Sequence, residues 1–207
     1  MSDFEHSTGI SLAPWHEALQ GSKQLIVVVP DKKNVPAAAL YACARNMAGW
    51  VPGFFTEAVI GKAGYIAPEK KQEGDMKTPL GLYSIDEAFA YNEFPETQMP
   101  LRVSGPADLW VDDPAHPDYN KWVKAPTTAQ SYELMLRNDH QYEYGLVVGY
   151  NRQPVHPGKG SAVFFHVWEN PQTGTAACIA MARDAMRQLL RWLKPYHSPR
   201  ALITLRH

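Results

Sequence analysis

The sequence predicts a mainly β (α+β) fold carrying one late amphipathic helix, with residues 1–207 forming a single domain. Three observations carry that expectation. Seventeen prolines and fourteen glycines punctuate the chain too often for a helical bundle and favour many short strands. Short apolar runs bounded by turn formers recur along it. Only 182–193 clearly repeats apolar residues at helical spacing. With 45% apolar and 20% charged residues, the chain is ordered and long enough to bury a core.

Taken in order, "KQLIVVVP" (23–30) is a buried strand closed by proline. "AAALYACARNM" (37–47) reads two ways, because its alanines favour helix while Leu40, Ala42 and Ala44 alternate as in a strand. "GFFTEAVIGKAG" (53–64) is a strand running into a glycine-bounded turn, and 69–85 is a polar loop leading into a short strand. Residues 90–126 read as irregular, dense in proline and aromatics. "YEYGLVVGYN" (142–151) and "SAVFFHVW" (161–168) are two strands separated by the loop "RQPVHPGKG". In 182–193, Met186, Leu189, Leu190 and Leu193 fall on one helical face, and Arg183, Asp184, Arg187, Gln188 and Arg191 on the other. "PYHSP" breaks that helix before a last strand, "ALITL" (201–205).

Composition excludes several functions. Twenty basic against 21 acidic side chains leave a formal net charge of −1, so nothing marks a nucleic-acid partner or an anionic membrane surface. The longest apolar runs are too short for a transmembrane segment. The start, "MSDFEHSTGISLAPW", has neither a basic n-region nor an apolar h-region, which leaves a cytosolic protein or one whose targeting segment is trimmed. Two cysteines cannot build a disulfide framework or a four-thiolate zinc site. No H-E-x-x-H or C-x-x-C run points to a metal. Asp112 and Asp113 precede a proline and read as turn caps. "GKAG" and "HPGKG" lack the pattern of a phosphate loop, and no G-x-S-x-G elbow occurs.

"FFHVWENPQTGTAACIAM" (164–181) holds His166 and, twelve residues later, Cys178. A cysteine attacks only as thiolate, and its ordinary pKa of about 8.5 leaves few thiolates at neutral pH unless an imidazole takes the proton. Alternation puts Phe164, His166 and Trp168 on one strand face, and Val163, Phe165 and Val167 on the other. The turn formers of "ENPQTGT" let the chain double back and set Cys178 beside His166. Small residues at Ala176 and Ala177 leave room for a substrate backbone, and the peptide N–H groups around Cys178 are the natural oxyanion donors. Spacing alone leaves two readings open: an inert thiol and a satisfied histidine in a core, or a nucleophile and its base. Cys43 reads as buried and inert.

Six segments in register add a resemblance. "GKAG" with "KKQEGDMKTPLGLY" (61–64 and 70–83), "LWVDDPAHPDYN" (109–120), "SYELM" (131–135), "YGLVVGYN" (144–151), "GKGSAVFFHV" (158–167) and "TAACIAM" (175–181) resemble the L,D-transpeptidase catalytic-domain (YkuD-type) family. They are most similar to its branch with a Thr-Ala-Gly-Cys nucleophile motif, here Thr175, Ala176, Ala177 and Cys178. The resemblance implies a YkuD-like β-sandwich or barrel. It implies that Cys178 attacks a peptide carbonyl of a peptidoglycan stem with His166 as base, giving an acyl-enzyme thioester. Cleavage follows meso-diaminopimelate with release of D-alanine, and the acyl group passes to an amine or to water. The same pair would serve an L,D-carboxypeptidase, endopeptidase or amidase. No cofactor and no metal are implied, carbapenems would form an adduct on Cys178, and the location would be periplasmic or extracytoplasmic. Three departures stand out: Ala176 replaces the second histidine of the Ser-His-Gly-Cys form, Ala177 replaces a glycine, and Ala180 replaces an arginine. A Cβ at 177 would resist a positive φ. A non-catalytic peptidoglycan-binding module and an unrelated cytosolic β protein are the competing readings.

The remaining candidates each have a bland alternative. Glu73 and Asp75 either face the substrate cleft or sit in a solvated turn with Thr78 and Pro79. Trp110, Tyr119 and Asn120 either wall a stem-peptide site or pack a loop on the core. Asn151 either donates to substrate or caps its turn, and Ser161 with Gly160 shapes the approach to the His166 strand. Ser131 and Glu133 either support the region around His166, or contact diaminopimelate, or begin a helix, since "SYELM" suits an N-cap. His140, His156 and His197 read as surface residues.

Overall fold

Seven consecutive buried residues, Gln24–Pro30, form β1, the run predicted from its apolar sequence. β1 lies in a sheet built from strands along the whole chain. The computed structural model describes residues 2–33, 35–92 and 96–206. Its strands are β1, β2 (Ala37–Asn46), β3 (Gly49–Val59), β4 (Tyr65–Ile66), β5 (Thr78–Pro79), β6 (Gly81–Ala90), β7 (Leu101–Val103), β8 (Asp108–Val111), β9 (Trp122–Lys124), β10 (Tyr132–Leu134), β11 (Tyr144–Val148), β12 (Phe164–Val167), β13 (Ile179–Met181) and β14 (Arg200–Ile203); the helices are α1 (Asp3–Thr8) and α2 (Arg183–Trp192). The main sheet runs β11-β12-β13-β3-β2-β1-β14-β6-β7, and a further pairing of β11 with β6 closes it into a barrel. The fold is mainly β with a late helix, as the sequence predicts.

For 37–47, alternation outweighs alanine's helix propensity, because β2 gains a ladder on both sides, to β1 and to β3. β3 begins earlier than predicted and tolerates Pro52 because the register shifts there, with Gly53 as the extra residue. β13 pairs only with Ala58 and Val59 of β3, so Pro52 meets no second ladder.

Alternation along each strand splits the apolar residues into three clusters. Inside the barrel, Ile26, Val28, Leu40, Ile85, Leu146, Phe165 and Ile179 pack with the α2 stripe Met186, Leu189, Leu190 and Leu193. Outside β1, β2 and β14, the N-terminal segment lays Phe4, Ile10, Leu12 and Leu19 over Leu25, Val27, Cys43 and Leu202. That segment opens with α1, whose Ser2–Glu5 capping box follows the S-x-x-E spacing that the sequence analysis left unread. Outside β11 and β12, Phe89, Trp110, Tyr142, Phe164 and Cys178 form the third cluster.

That last face is covered by structure the sequence analysis did not anticipate. Segment 90–126, read as irregular, contains β7, β8 and β9; its residues 93–95 lie outside the described residues. "SYELM" is no helix start: Tyr132–Leu134 is β10, paired with β8. Sheet β10-β8-β9 sits over the outer face of β12. No helix among the described residues is long and apolar enough to cross a membrane.

Candidate active site

β12 and β13 are parallel neighbours, with Phe165 opposite Ile179 and His166 opposite Ala180. Continuing that register by one residue sets Cys178 beside Phe164, two positions from His166 on the same outward face. The intervening loop folds back as its turn formers predict. Asn170 Oδ1 accepts the N–H groups of Gln172 and Thr173, and Thr175 bridges to Gly61. At Gly174 a Cβ would lie 2.6 Å from Lys62 Cα, so only glycine lets the loop approach this closely.

Both side chains are nearly buried, Cys178 at 5% and His166 at 3% exposure, yet both line one cavity of about 440 Å³. The thiol donates to Ala162 O at 3.1 Å and accepts from Phe164 N–H at 3.4 Å. With one proton to give, it is bound to a carbonyl and not to the imidazole. His166 Nδ1 lies 2.8 Å from Val167 O; a carbonyl can only accept, so Nδ1 carries the proton and Nε2 keeps its lone pair. Burial pushes the Cys178 thiol up to about 12 and pulls His166 down to about 4. The resting pair is therefore neutral thiol and neutral imidazole.

The peptide carrying Cys178 is held from behind. Thr78 Oγ1, fully buried, donates to Ala177 O at 2.8 Å while accepting Gly61 N–H at 2.8 Å. Thr175 Oγ1 donates to Cys178 O at 2.7 Å. Across a trans peptide, fixing Ala177 O toward Thr78 turns the Cys178 N–H the opposite way. Ala177 is not among the non-glycine residues with positive φ, which are Met76, Asn120, His140, Asn151, Ala162 and Ser198 among the described residues. The expected conflict between its Cβ and a left-handed backbone therefore does not arise.

Charged groups wall the cavity on two sides. Beside His166, the Tyr142 ring stands edge-on at 5.3 Å and the Arg137 guanidinium lies 5.0 Å from that ring. Arg137 pairs with Asp139 and, at 3.3 Å, with Glu133, which also accepts from Tyr142 Oη. Burial raises the Glu133 carboxyl, with Arg137 opposing it. On the other side Glu73 accepts from Tyr119 Oη and, at 2.7 Å, from Ser161 Oγ. Lys71, 1% exposed, pairs with Asp75 at 2.7 Å, and after burial, which opposes it, this hydrogen bond is the main cause holding the Asp75 carboxyl low. Asp112, read as a turn cap, instead lines the cavity: its Oδ1 is buried with no hydrogen-bond partner among the described residues, and burial pushes its carboxyl up. Asp113 does cap its turn, accepting from Ala115 and Gln130 N–H.

The structure thus brings Cys178, His166, Thr175, Ala176, Ala177, Glu73 and Ser161 to one cavity. Asp75, Trp110, Tyr119, Asn120 and Asn151 do not line it. Asp75 holds Lys71, and Trp110, Tyr119 and Asn120 are at most 2% exposed behind the wall. Asn151 staples its own loop through His156 and Gly160. Sequence reasoning missed Lys71, Arg137 and Tyr142 as lining residues. Only Lys71 carried a signal, as the first residue of the K-x-E-G-D run; Arg137 falls between the segments read from the sequence, and its backbone is held there by the Tyr91 hydroxyl, 46 residues away. Its guanidinium lies on the wall although the arginine position after the cysteine is Ala180, itself fully buried.

A family model described as the L,D-transpeptidase catalytic domain, YkuD, matches residues 27–199. No curated protein matches the chain. Among solved structures, that of Bdellovibrio bacteriovorus Bd1075 superposes with a TM-score of 0.50 at 16% identity, covering 90% of this chain and 49% of that one. The likeness is one of fold, and the chain spans about half the length of that protein.

Proposed function

The chain belongs to the L,D-transpeptidase catalytic-domain family, and on that premise we propose that it is a cysteine acyltransferase acting on peptidoglycan stem peptides, working outside the cytoplasm. Cys178 Sγ attacks the carbonyl of meso-diaminopimelate in its peptide bond to D-alanine. His166 Nε2 takes the thiol proton and delivers it to the departing D-alanine amine, leaving a thioester on Cys178. An amine of a second stem then attacks the thioester and restores the thiol. The observation that carries this reading is the sharing of one cavity by the Cys178 thiol and an imidazole whose Nδ1 is the protonated nitrogen.

The neutral resting pair shapes the chemistry. A thiol near 12 and an imidazole near 4 do not form an ion pair at rest, so the proton moves as the sulfur–carbon bond forms. The Cys178 N–H, aimed by the Thr78 bond to Ala177 O, is the assigned oxyanion donor. Carboxylates at Glu73, Asp112 and Glu133 on the wall favour an ammonium-bearing group nearby, which suits an amine acceptor.

Purified muropeptides incubated with the protein and analysed by mass spectrometry test this directly. Cross-linked dimers are expected; shortened monomers alone assign hydrolysis through the same thioester. A meropenem adduct on intact protein, absent in Cys178→Ala, is expected as well. No adduct, together with no effect of His166→Ala on muropeptides, would leave a binding module.

A further inference from the structure

Asn120 is 2% exposed, lies outside the cavity and uses its whole amide. Its Oδ1 accepts Trp110 Nε1–H at 3.0 Å and Ala162 N–H at 3.1 Å; its Nδ2 donates to Tyr150 O at 3.2 Å and Asn151 O at 2.7 Å. One of the bonded residues matters directly for Cys178. Ala162 is held at φ +50, a left-handed conformation that a non-glycine residue keeps only when its surroundings over-determine it. Its carbonyl is the acceptor of the Cys178 thiol proton. Asn120 is itself left-handed at φ +59 and is anchored by its own N–H to Val111 O at 2.8 Å.

We infer that Asn120 is a positioning residue for the nucleophile: by fixing Ala162 it holds the carbonyl that orients the Cys178 thiol. The inference rests on Cys178 being the attacking group. The Ala162 carbonyl selects one direction for the S–H bond, and the Phe164 N–H, fixed by strand pairing, meets the same sulfur. Together they pin Sγ at the cavity wall before substrate arrives, which is what a reaction limited by alignment needs. Because the acceptor is a carbonyl, the arrangement also favours the protonated thiol, and His166 withdraws the proton only when attack begins.

The test is the pH dependence of Cys178 alkylation by iodoacetamide, in a Cys43→Ala background so that one thiol reports. Asn120→Ala frees the Ala162 carbonyl, so the alkylation midpoint falls by about one pH unit, the size of one net hydrogen bond, and meropenem acylation slows roughly tenfold. Asn120→Asp keeps an acceptor for Ala162 N–H, so its midpoint does not fall. A folded Asn120→Ala with the parent midpoint and acylation rate overturns the inference, as does a fall in Asn120→Asp equal to that in Asn120→Ala. If Asn120→Ala does not fold, infrared spectroscopy of the parent protein decides. The Cys178 S–H stretch, isolated by difference against Cys178→Ala, is expected at the lowered frequency of a bonded thiol; an unbonded frequency overturns the inference. Alkylation reads the thiol's setting alone, whereas failure of the parent protein to take up meropenem would count against the acyltransferase reading, so the two fail separately.

Discussion

The barrel buries one cysteine on each of two outer faces, and the two make a controlled comparison. Cys43 is fully buried under Phe4, Leu19 and Trp50, and burial alone pushes its thiol up to about 12. Cys178 lies under Trp110, Tyr142 and Phe164, and burial again pushes its thiol up to about 12. By charge state the two are alike. They differ in what each can touch. Around Cys43 the packed side chains are apolar, while Cys178 has a carbonyl acceptor, an amide donor and a cavity shared with His166. A thiol displaced by burial is therefore no mark of function; an oriented thiol on a cavity wall is.

The covers explain the difference. One face is covered by a short capped helix and an apolar segment, and the cavity of about 490 Å³ among Leu12, Leu19, Arg45 and Trp50 is not lined by Cys43, which stays fully buried. The other is covered by the three short strands β8, β9 and β10, whose ion pairs and carboxylates leave an opening beside β12. The largest expected effect follows. Iodoacetamide on the native protein modifies Cys178 through the cavity, while Cys43 reacts only on global opening, at a rate lower by at least about a thousandfold. Peptide mass spectrometry over time measures both; comparable rates would erase the distinction between the faces.

The pH dependence of stability separates the faces next. His166 is held neutral on the Cys178 face with a pKa of about 4 against an ordinary 6.5. Between those values the unfolded chain binds the extra proton. Stability is therefore full above about pH 6.5, declines as pH falls toward about 4 by at most about 3 kcal/mol, and has no further His166 contribution below. Urea unfolding across that range, compared between the parent protein and His166→Gln, isolates the loss. Parallel profiles would mean that the imidazole is solvated and not part of the packed wall.

How far the sequence revealed each face depends on the range of the contacts that build it. β1, α2 and the strand bearing His166 were legible because alternation or a 3.6-residue period is written locally. The Cys–His pair was legible as a juxtaposition, since the turn-rich loop before Cys178 had to bring the chain back. The cover over Cys178 was not. β8, β9 and β10 are three or four residues long, too short for a period, and exist because Leu109 meets Val123 on one side and Leu134 on the other. For the same reason the sequence leaves Trp110, Tyr119 and Asn120 open between a stem-peptide wall and a loop packed on the core; they support the wall from behind. β13, three buried residues directly after Cys178, was hidden by its brevity.

A smaller effect tests the support behind Cys178. Thr78→Val keeps the shape but removes the donor to Ala177 O and the acceptor of Gly61 N–H. The expected cost is about 1–3 kcal/mol of stability, with meropenem acylation slowed at least roughly tenfold because the Cys178 N–H is no longer aimed. Trp50→Phe on the Cys43 face is expected to lower stability while leaving acylation unchanged. If both variants acylate at the parent rate, Thr78 serves packing alone.

The finest test exchanges sulfur for oxygen at each cysteine and reads the difference by urea unfolding. Cys43→Ser buries a hydroxyl beside the apolar side chains of Leu25, Val27 and Leu202, at an expected cost of about 1–3 kcal/mol. Cys178→Ser places its hydroxyl between the Ala162 carbonyl and the Phe164 amide, so most of the desolvation is compensated and the cost stays under about 1 kcal/mol. The same chemical change should therefore cost more in the inert face than in the reactive one. Equal costs would mean that the partners around Cys178 do not recognise the thiol's hydrogen bond, and the contrast between the two faces would reduce to the cavity alone.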